Sequence, residues 1–225
     1  MLPLLYQDDD LLAVAKPEGL ATIPERRPTG DSLVEILTRQ LGMRLYVVHR
    51  IDKEVSGVVL LAKHAAAHRW LNDQFSARQV HKTYLAVVHG HVAPDQGTID
   101  LPLRQFGSGR MGVDQGRGKP STTEFAVLER SDGFSLLRVS PLTGRRHQIR
   151  VHLYAVGHPI VGDRRYGDPA QQRRHARVML HAQAITCQRT DGTSIHIEAP
   201  PPDSWSHLYK RLWGREPFSF PGGTP

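Results

Sequence analysis

Val48-His49-Arg50-Ile51-Asp52-Lys53-Glu54-Val55-Ser56-Gly57 runs directly into Val58-Val59-Leu60-Leu61-Ala62. The apolar run, opened by the Ser-Gly pair, reads as a buried strand, and the ionisable cluster before it sits at the strand's mouth. A carboxylate beside low-dielectric walls is costly unless a cation pairs with it or chemistry uses it. Asp52 therefore reads as an ionised carboxylate held by a cation and facing a substrate. The plainer alternative is a polar turn between two strands, and this segment alone does not decide between them.

Working outward, Leu4 to Gln7 and Leu11 to Ala15 flank Asp8-Asp9-Asp10, which predicts two short strands on a tight acidic turn, broken by Lys16-Pro17-Glu18-Gly19. Ser32 and Glu35 form a capping box, Leu33, Ile36, Leu37 and Leu41 repeat at helical spacing, and Gly42 supplies the stop, so residues 31–42 predict a helix. A second helix is expected to bury Ala67, Trp70, Leu71 and Phe75. Thr83 to Val88 then reads as a core strand with Tyr84 near its start. Residues 107–119 carry five glycines and predict a mobile loop. Strands are expected at Thr123–Leu128, Phe134–Val139, Val178–Ala182 and Thr193–Ile197. A helix from near Thr143 to Gly157 is expected to face inward with Ile149, Leu153 and Val156, and a last helix carries Trp205, Leu208 and Leu212. Runs of strands with helices inserted irregularly predict an α+β protein, because regular βαβ alternation is missing.

The chain has 225 residues, with 29 basic against 22 acidic side chains, and 23 of the basic ones are Arg. Arginine's planar fork grips phosphate and stacks on bases, so this surplus points toward nucleic acid, although a merely basic soluble enzyme has the same balance. Cys187 is the only cysteine, which removes disulfides and Cys-based zinc sites and implies a reducing compartment. No run approaches the roughly 18 apolar residues of a membrane span, and Met1-Leu2-Pro3 does not open a signal peptide. A cytoplasmic protein without membrane contact is expected.

Two stretches imitate phosphate loops. Gly107-Ser108-Gly109-Arg110-Met111-Gly112 fits GxGxxG, yet no strand feeds it and no apolar helix follows; Gly116-Arg117-Gly118-Lys119-Pro120 lacks the Walker spacing and hydroxyl. The 13 histidines include no HExxH, and His147 and His152, five apart, fall on different helix faces, so no metal is expected. Thr143-Gly144-Arg145-Arg146-His147-Gln148-Ile149-Arg150 places three arginines in the expected helix's first two turns. Such charges repel unless anions are present, for which RNA phosphates and a buried carboxylate are the obvious occupants; a solvated basic face is the alternative.

Taken together, these blocks resemble the RluA-type pseudouridine synthases, enzymes that isomerise uridine in ribosomal and transfer RNA. His49-Arg50-Ile51-Asp52 with Ser56-Gly57 is similar to the family's HRLDxxTSG signature, with Ile51 for Leu and Val55 for Thr. Lys82-Thr83-Tyr84-Leu85-Ala86 resembles the block of the active-site tyrosine, and Gly144 to Arg150 resembles GRxHQLR. Further matches are Leu5-Tyr6-Gln7-Asp8-Asp9, Lys16-Pro17-Glu18-Gly19, Gly157-His158-Pro159-Ile160-Val161-Gly162-Asp163 and Leu180-His181-Ala182, so the likeness spans roughly residues 4 to 200. It implies the pseudouridine synthase fold, with a mixed, largely antiparallel central sheet and flanking helices. It also implies one catalytic domain over 1–225, built with or without two subdomains meeting at the cleft. Residues 215–225 are expected to form a disordered tail. The length leaves no room for the extra N-terminal RNA-binding domain of many relatives, which matches the compact, monomeric members acting on stem-loop uridines.

The resemblance also implies roles. Asp52 is the nucleophile at the anomeric carbon, or the base that removes the neighbouring ring proton. Arg150 pairs with Asp52, and Tyr84 stacks on the detached uracil. Arg50 fills the stack left by a flipped uridine, and Leu180 walls the pocket. His49, Arg145, Arg146, His147, Arg164 and Arg165 fall among the substrate-binding residues. No cofactor is implied, because the isomerisation is redox-neutral. Two rivals stand beside this: a glycosidase-like hydrolase, which needs a second carboxylate about 5 to 9 Å from Asp52, and a non-catalytic RNA-binding protein.

Overall fold

The computed structural model describes residues 2–25 and 30–215. Strands β1 (Leu4–Gln7) and β2 (Leu11–Lys16) form a hairpin on the acidic turn, where Asp8 Oδ1 accepts from the backbone N–H of Asp10 at 2.9 Å and of Leu11 at 2.7 Å. Helix α1 (Leu33–Leu41) carries the expected Ser32–Glu35 capping box and ends at Gly42, with φ 65°. Then come β3 (Tyr46–Val47), β4 (Ser56–Ala62), α2 (Ala65–Ser76), β5 (His81–His89), β6 (Gln96–Asp100), β7 (Leu103–Gln105), β8 (Met111–Val113), β9 (Thr122–Ser131) and β10 (Phe134–Pro141). Helices α3 (Gln148–Ala155) and α4 (Pro169–Gln172), strands β11 (Leu180–Gln188) and β12 (Ser194–Glu198), and helix α5 (Asp203–Trp213) complete the chain.

Ten strands form one sheet in the order β1-β2-β4-β11-β5-β10-β9-β6, with β3 beside β4 and β12 beside β11. Every ladder is antiparallel except β4 with β11. This is the expected α+β, largely antiparallel sheet. All seven residues of β4 are buried, as a strand central to a covered sheet requires. The parallel ladder pairs Ser56 with His181 and Gly57 with Ala182. Only glycine fits at 57: φ is 126°, and a Cβ there would collide with the Ala182 carbonyl. That close approach fixes the Asp52 turn against β11.

The structure corrects four expectations. The helix expected from Thr143 begins at Gln148, because Gln148 folds its carboxamide back on the preceding turn: its Oε1 accepts from the Thr143 hydroxyl (2.7 Å) and the Arg145 N–H (3.0 Å), while its Nε2 donates to Thr122 O and Thr123 Oγ1, both at 2.9 Å. Consequently Arg145 and Arg146 lie on a turn, and of the three arginines only Arg150 is helical. Val156 lies past the last helical residue and is 44% exposed, whereas Ile149 and Leu153 are buried as expected. The glycine-rich stretch contains β8, which pairs with β7 and packs Leu103 and Met111 on Val151 and Tyr166 of the α3 region. Of the expected tail, Arg215 is bonded to Glu129, and 216–225 lie outside the described residues.

Candidate active site

The turn carrying Asp52 is pinned through its backbone. Ile51 O accepts from Thr22 Oγ1 at 3.0 Å, Lys53 O accepts from Gly19 N–H at 2.8 Å, and the buried Lys16 amino group donates to Pro17 O, Leu20 O and Lys53 O. The Asp52 side chain therefore projects from a rigid base into a cleft of about 1520 Å³. Tyr84 and Lys82 of β5, Leu180 of β11, the 141–150 segment, Arg165 and Gln105 are among the residues that line it.

Arg150 forms the floor. It is 2% exposed, and its Nη1 donates to Asp52 Oδ2 at 3.0 Å, the ion pair expected across about a hundred positions, and to Glu54 Oε2 at 3.3 Å. The other edge of its fork is clamped by Asp163, with Nε to Oδ2 at 2.7 Å and Nη2 to Oδ1 at 2.9 Å. Burial works against the guanidinium's charge, but the bonds and charge of Asp163, joined by Asp52 and Glu54, overcome it and raise the Arg150 pKa. Asp163 itself is fully buried, so each member of this pair makes the other's burial tolerable.

His147 comes to Asp52 from the other side, with Nε2 3.8 Å from Oδ1, while its Nδ1 meets the Tyr166 hydroxyl at 2.7 Å. Burial, and then the charge of Asp52, push the Tyr84 hydroxyl above its ordinary range, so it stands in the cleft as a neutral phenol. Burial lowers Lys16 to about 7, against the pull of Asp52, Glu54 and Glu18.

Of the other expected contact residues, Arg50, Arg145, Arg146 and Arg165 line the cleft and are exposed. Arg164 is exposed too and stands beside Arg165, outside the cleft lining. His49 lines the cleft with its ring committed elsewhere: Nε2 accepts from the Leu60 N–H at 2.9 Å, the ring stacks on Phe75, and burial with the nearby Lys82 lowers its pKa to about 3. Asp163 and Lys82 are among the site residues that the sequence alone did not single out. Both lay within quoted blocks, and Lys82 stands two positions from Tyr84, on the same strand face. Among the described residues no group of His, Cys, Asp and Glu is placed to hold a metal ion, and no helix is long and apolar enough to cross a membrane.

An arginine-paired carboxylate in an arginine-rimmed cleft suits an enzyme whose substrate is polyanionic. Residues 10–155 match the family model for RNA pseudouridylate synthase. The chain is 40% identical over 199 residues to the dual-specificity RNA pseudouridine synthase RluA of Yersinia pestis, spanning 87% of this chain and 97% of that protein. It is 40% identical over 204 residues to the enzyme of the same name from Escherichia coli K12, spanning 88% and 93%. Among solved structures, human RNA pseudouridylate synthase domain containing 1 superposes with TM-score 0.77 at 29% identity over 97% of each chain. Its domain containing 4 counterpart gives 0.78 at 25% identity over 93% of this chain and 92% of that one. The chain belongs to the RNA pseudouridylate synthase family. It is an isomerase that makes pseudouridine in RNA.

Proposed function

We propose that Asp52 is the nucleophile of this reaction and that the cleft receives a uridine flipped from a stem-loop of ribosomal RNA, transfer RNA or both. The relatives named dual-specificity favour a chain of this compact kind serving more than one RNA. The observation that carries the reading is the 3.0 Å pair between Arg150 Nη1 and Asp52 Oδ2 in a cleft that both residues line. Asp52 attacks the anomeric carbon as its bond to uracil N1 breaks, or takes the neighbouring ribose proton; either route ends with carbon 5 bonded to the sugar and its proton lost. Tyr84 stacks on the turning uracil, and buried Leu180 walls the pocket. Exposed Arg50 replaces the flipped base, while Arg145 and Arg146 neutralise phosphates. The enzyme works as a cytoplasmic monomer of one catalytic domain.

Asp52→Asn tests this reading. Pseudouridine formation is expected to vanish while RNA affinity stays within about threefold, because the phosphate contacts survive. Mapping pseudouridine in total RNA from cells with the native or the Asn form identifies the substrate. Product from the Asn form would overturn the nucleophile.

A further inference from the structure

His147 is one of two non-glycine residues with positive φ among the described residues, at φ 54° and ψ 20°. That backbone is uncommon for a residue with a Cβ, and strain of this kind gathers at working sites. Here it delivers the imidazole between two partners. Nδ1 lies 2.7 Å from the Tyr166 hydroxyl, and Nε2 lies 3.8 Å from Asp52 Oδ1.

The Tyr166 contacts fix where the imidazole proton sits. Tyr166 is 1% exposed, and its oxygen accepts from the Met111 backbone N–H at 3.3 Å. A backbone N–H only donates, so the phenolic hydrogen has one acceptor left among the described residues, His147 Nδ1. The opposite assignment puts a hydrogen on Nδ1 and leaves a buried O–H donor without a partner. Nδ1 is therefore bare, and the hydrogen of the neutral ring is on Nε2, facing Asp52. Burial, aided by Arg150, Arg146 and Arg165 and opposed by Asp52, lowers the His147 pKa and keeps the ring neutral.

The Tyr166 ring has a second neighbour at the site. It lies 5.4 Å beneath the Arg150 guanidinium and edge-on to His147 at 5.6 Å. One aromatic side chain thus touches both groups that flank Asp52.

We propose that Tyr166 locks the His147 tautomer so that Nε2–H and Arg150 Nη1 each govern one oxygen of Asp52, making His147 a positioning residue for the isomerisation. This rests on the reading of Asp52 as the nucleophile. Arg150 holds Oδ2, and the His147 donor sets the direction of Oδ1, the oxygen that meets the sugar. At 3.8 Å the donor stands just beyond hydrogen-bond length, a gap that closes when substrate fills the cleft.

Two measurements on the full chain test the proposal. Two-bond nitrogen–proton NMR of ¹⁵N-labelled protein is expected to show His147 as the Nε2–H tautomer, and Tyr166→Phe is expected to shift it toward Nδ1–H. Single-turnover rates on a hairpin RNA separate positioning from shape. His147→Asn suits a left-handed backbone but sets its amide where Nδ1 stood; His147→Gln extends an amide to the Nε2 position. The Asn form is expected to lose ~10- to 100-fold in rate at saturating RNA, and the Gln form only a few-fold, with affinity unchanged in both. An Nδ1–H tautomer in the native protein overturns the proposal even where variants fold poorly. Equal rates in the Asn and Gln forms, or losses confined to affinity, overturn it as well. Activity surviving in Asp52→Asn removes the nucleophile reading but leaves the tautomer result standing, so the two failures are distinguishable.

Discussion

Two buried arginines grip opposite ends of the same short turn, and they are held in contrasting ways. Arg150 meets three carboxylates, from Asp52, Glu54 and Asp163, and its pKa rises. Arg177, 7% exposed, meets one carboxylate, Glu18, at 3.1 Å, and otherwise bonds the hydroxyls of Ser56 (2.6 Å) and Ser204 (2.8 Å) and the Val178 carbonyl. Burial lowers its pKa, with only Glu18 opposing. Charge is in excess around the first and scarce around the second. The difference teaches that burial of an arginine says little by itself. The surplus of carboxylates at Arg150 lets Asp52 and Glu54 line the cleft while Asp163 holds the fork from behind, whereas Arg177 ties β4 to the start of α5.

The strongest challenge to this contrast is Asp163→Asn. Losing one member of a buried pair costs about 3 kcal/mol or more, and a fork free to swing away from Asp52 is expected to lower the single-turnover rate ~100-fold. Urea unfolding and rapid-quench rates check the two halves; a normal rate would show that Asp163 does not orient the pair. Arg177→Met is expected to cost about 2 kcal/mol in the same unfolding assay, from lost hydrogen bonds, yet to leave the rate of the folded enzyme within a few-fold. A large rate loss there would erase the distinction between the two arginines.

Smaller effects follow at the rim and in the core. Replacing Arg145 and Arg146 with Gln is expected to lower the slope of log affinity against log salt by ~0.7–0.9 for each phosphate contact removed. An unchanged slope would place the phosphates elsewhere. Burial depresses His49 to about 3 and His181 to about 4, from 6.5. On acidification the unfolded chain takes these protons first, so their contribution is whole above pH 6.5 and is lost as pH falls from 6.5 toward the folded values. Unfolding free energy measured between pH 7 and 4 is expected to fall, and more shallowly in His49→Gln.

The Asp52–Arg150 pair was legible through the resemblance; the residues themselves asked only for a cation at a carboxylate before a buried strand and for a carboxylate among the clustered arginines. Asp163 escaped because a carboxylate between Gly162 and Arg164 looks like an ordinary turn residue. Its need for a partner shows only once the fold buries it. The start of α3 was misread for a related reason. Thr143 and Gly144 suit a helix entry, but the Gln148 side chain satisfies the turn's polar groups from inside the helix while being anchored to Thr122 and Thr123, and local patterning does not carry that anchor. Strands β6 to β8 also escaped, being short and interrupted by Gly and Pro.

The parallel contact of Gly57 with Ala182 joins parts of the chain that are far apart in sequence. Ser56 Oγ and His181 Nδ1 lie 2.9 Å apart yet 125 positions apart in sequence, and the Asp52–Arg150 pair spans 98. Contacts this distant close late, because the intervening loop must first be organised. A chain cut before α3 keeps the Asp52 turn with no arginine beneath it, and one cut before β11 lacks the Leu180 wall. The site is therefore a property of nearly the whole chain, and no short fragment around the Asp52 block is expected to reproduce it.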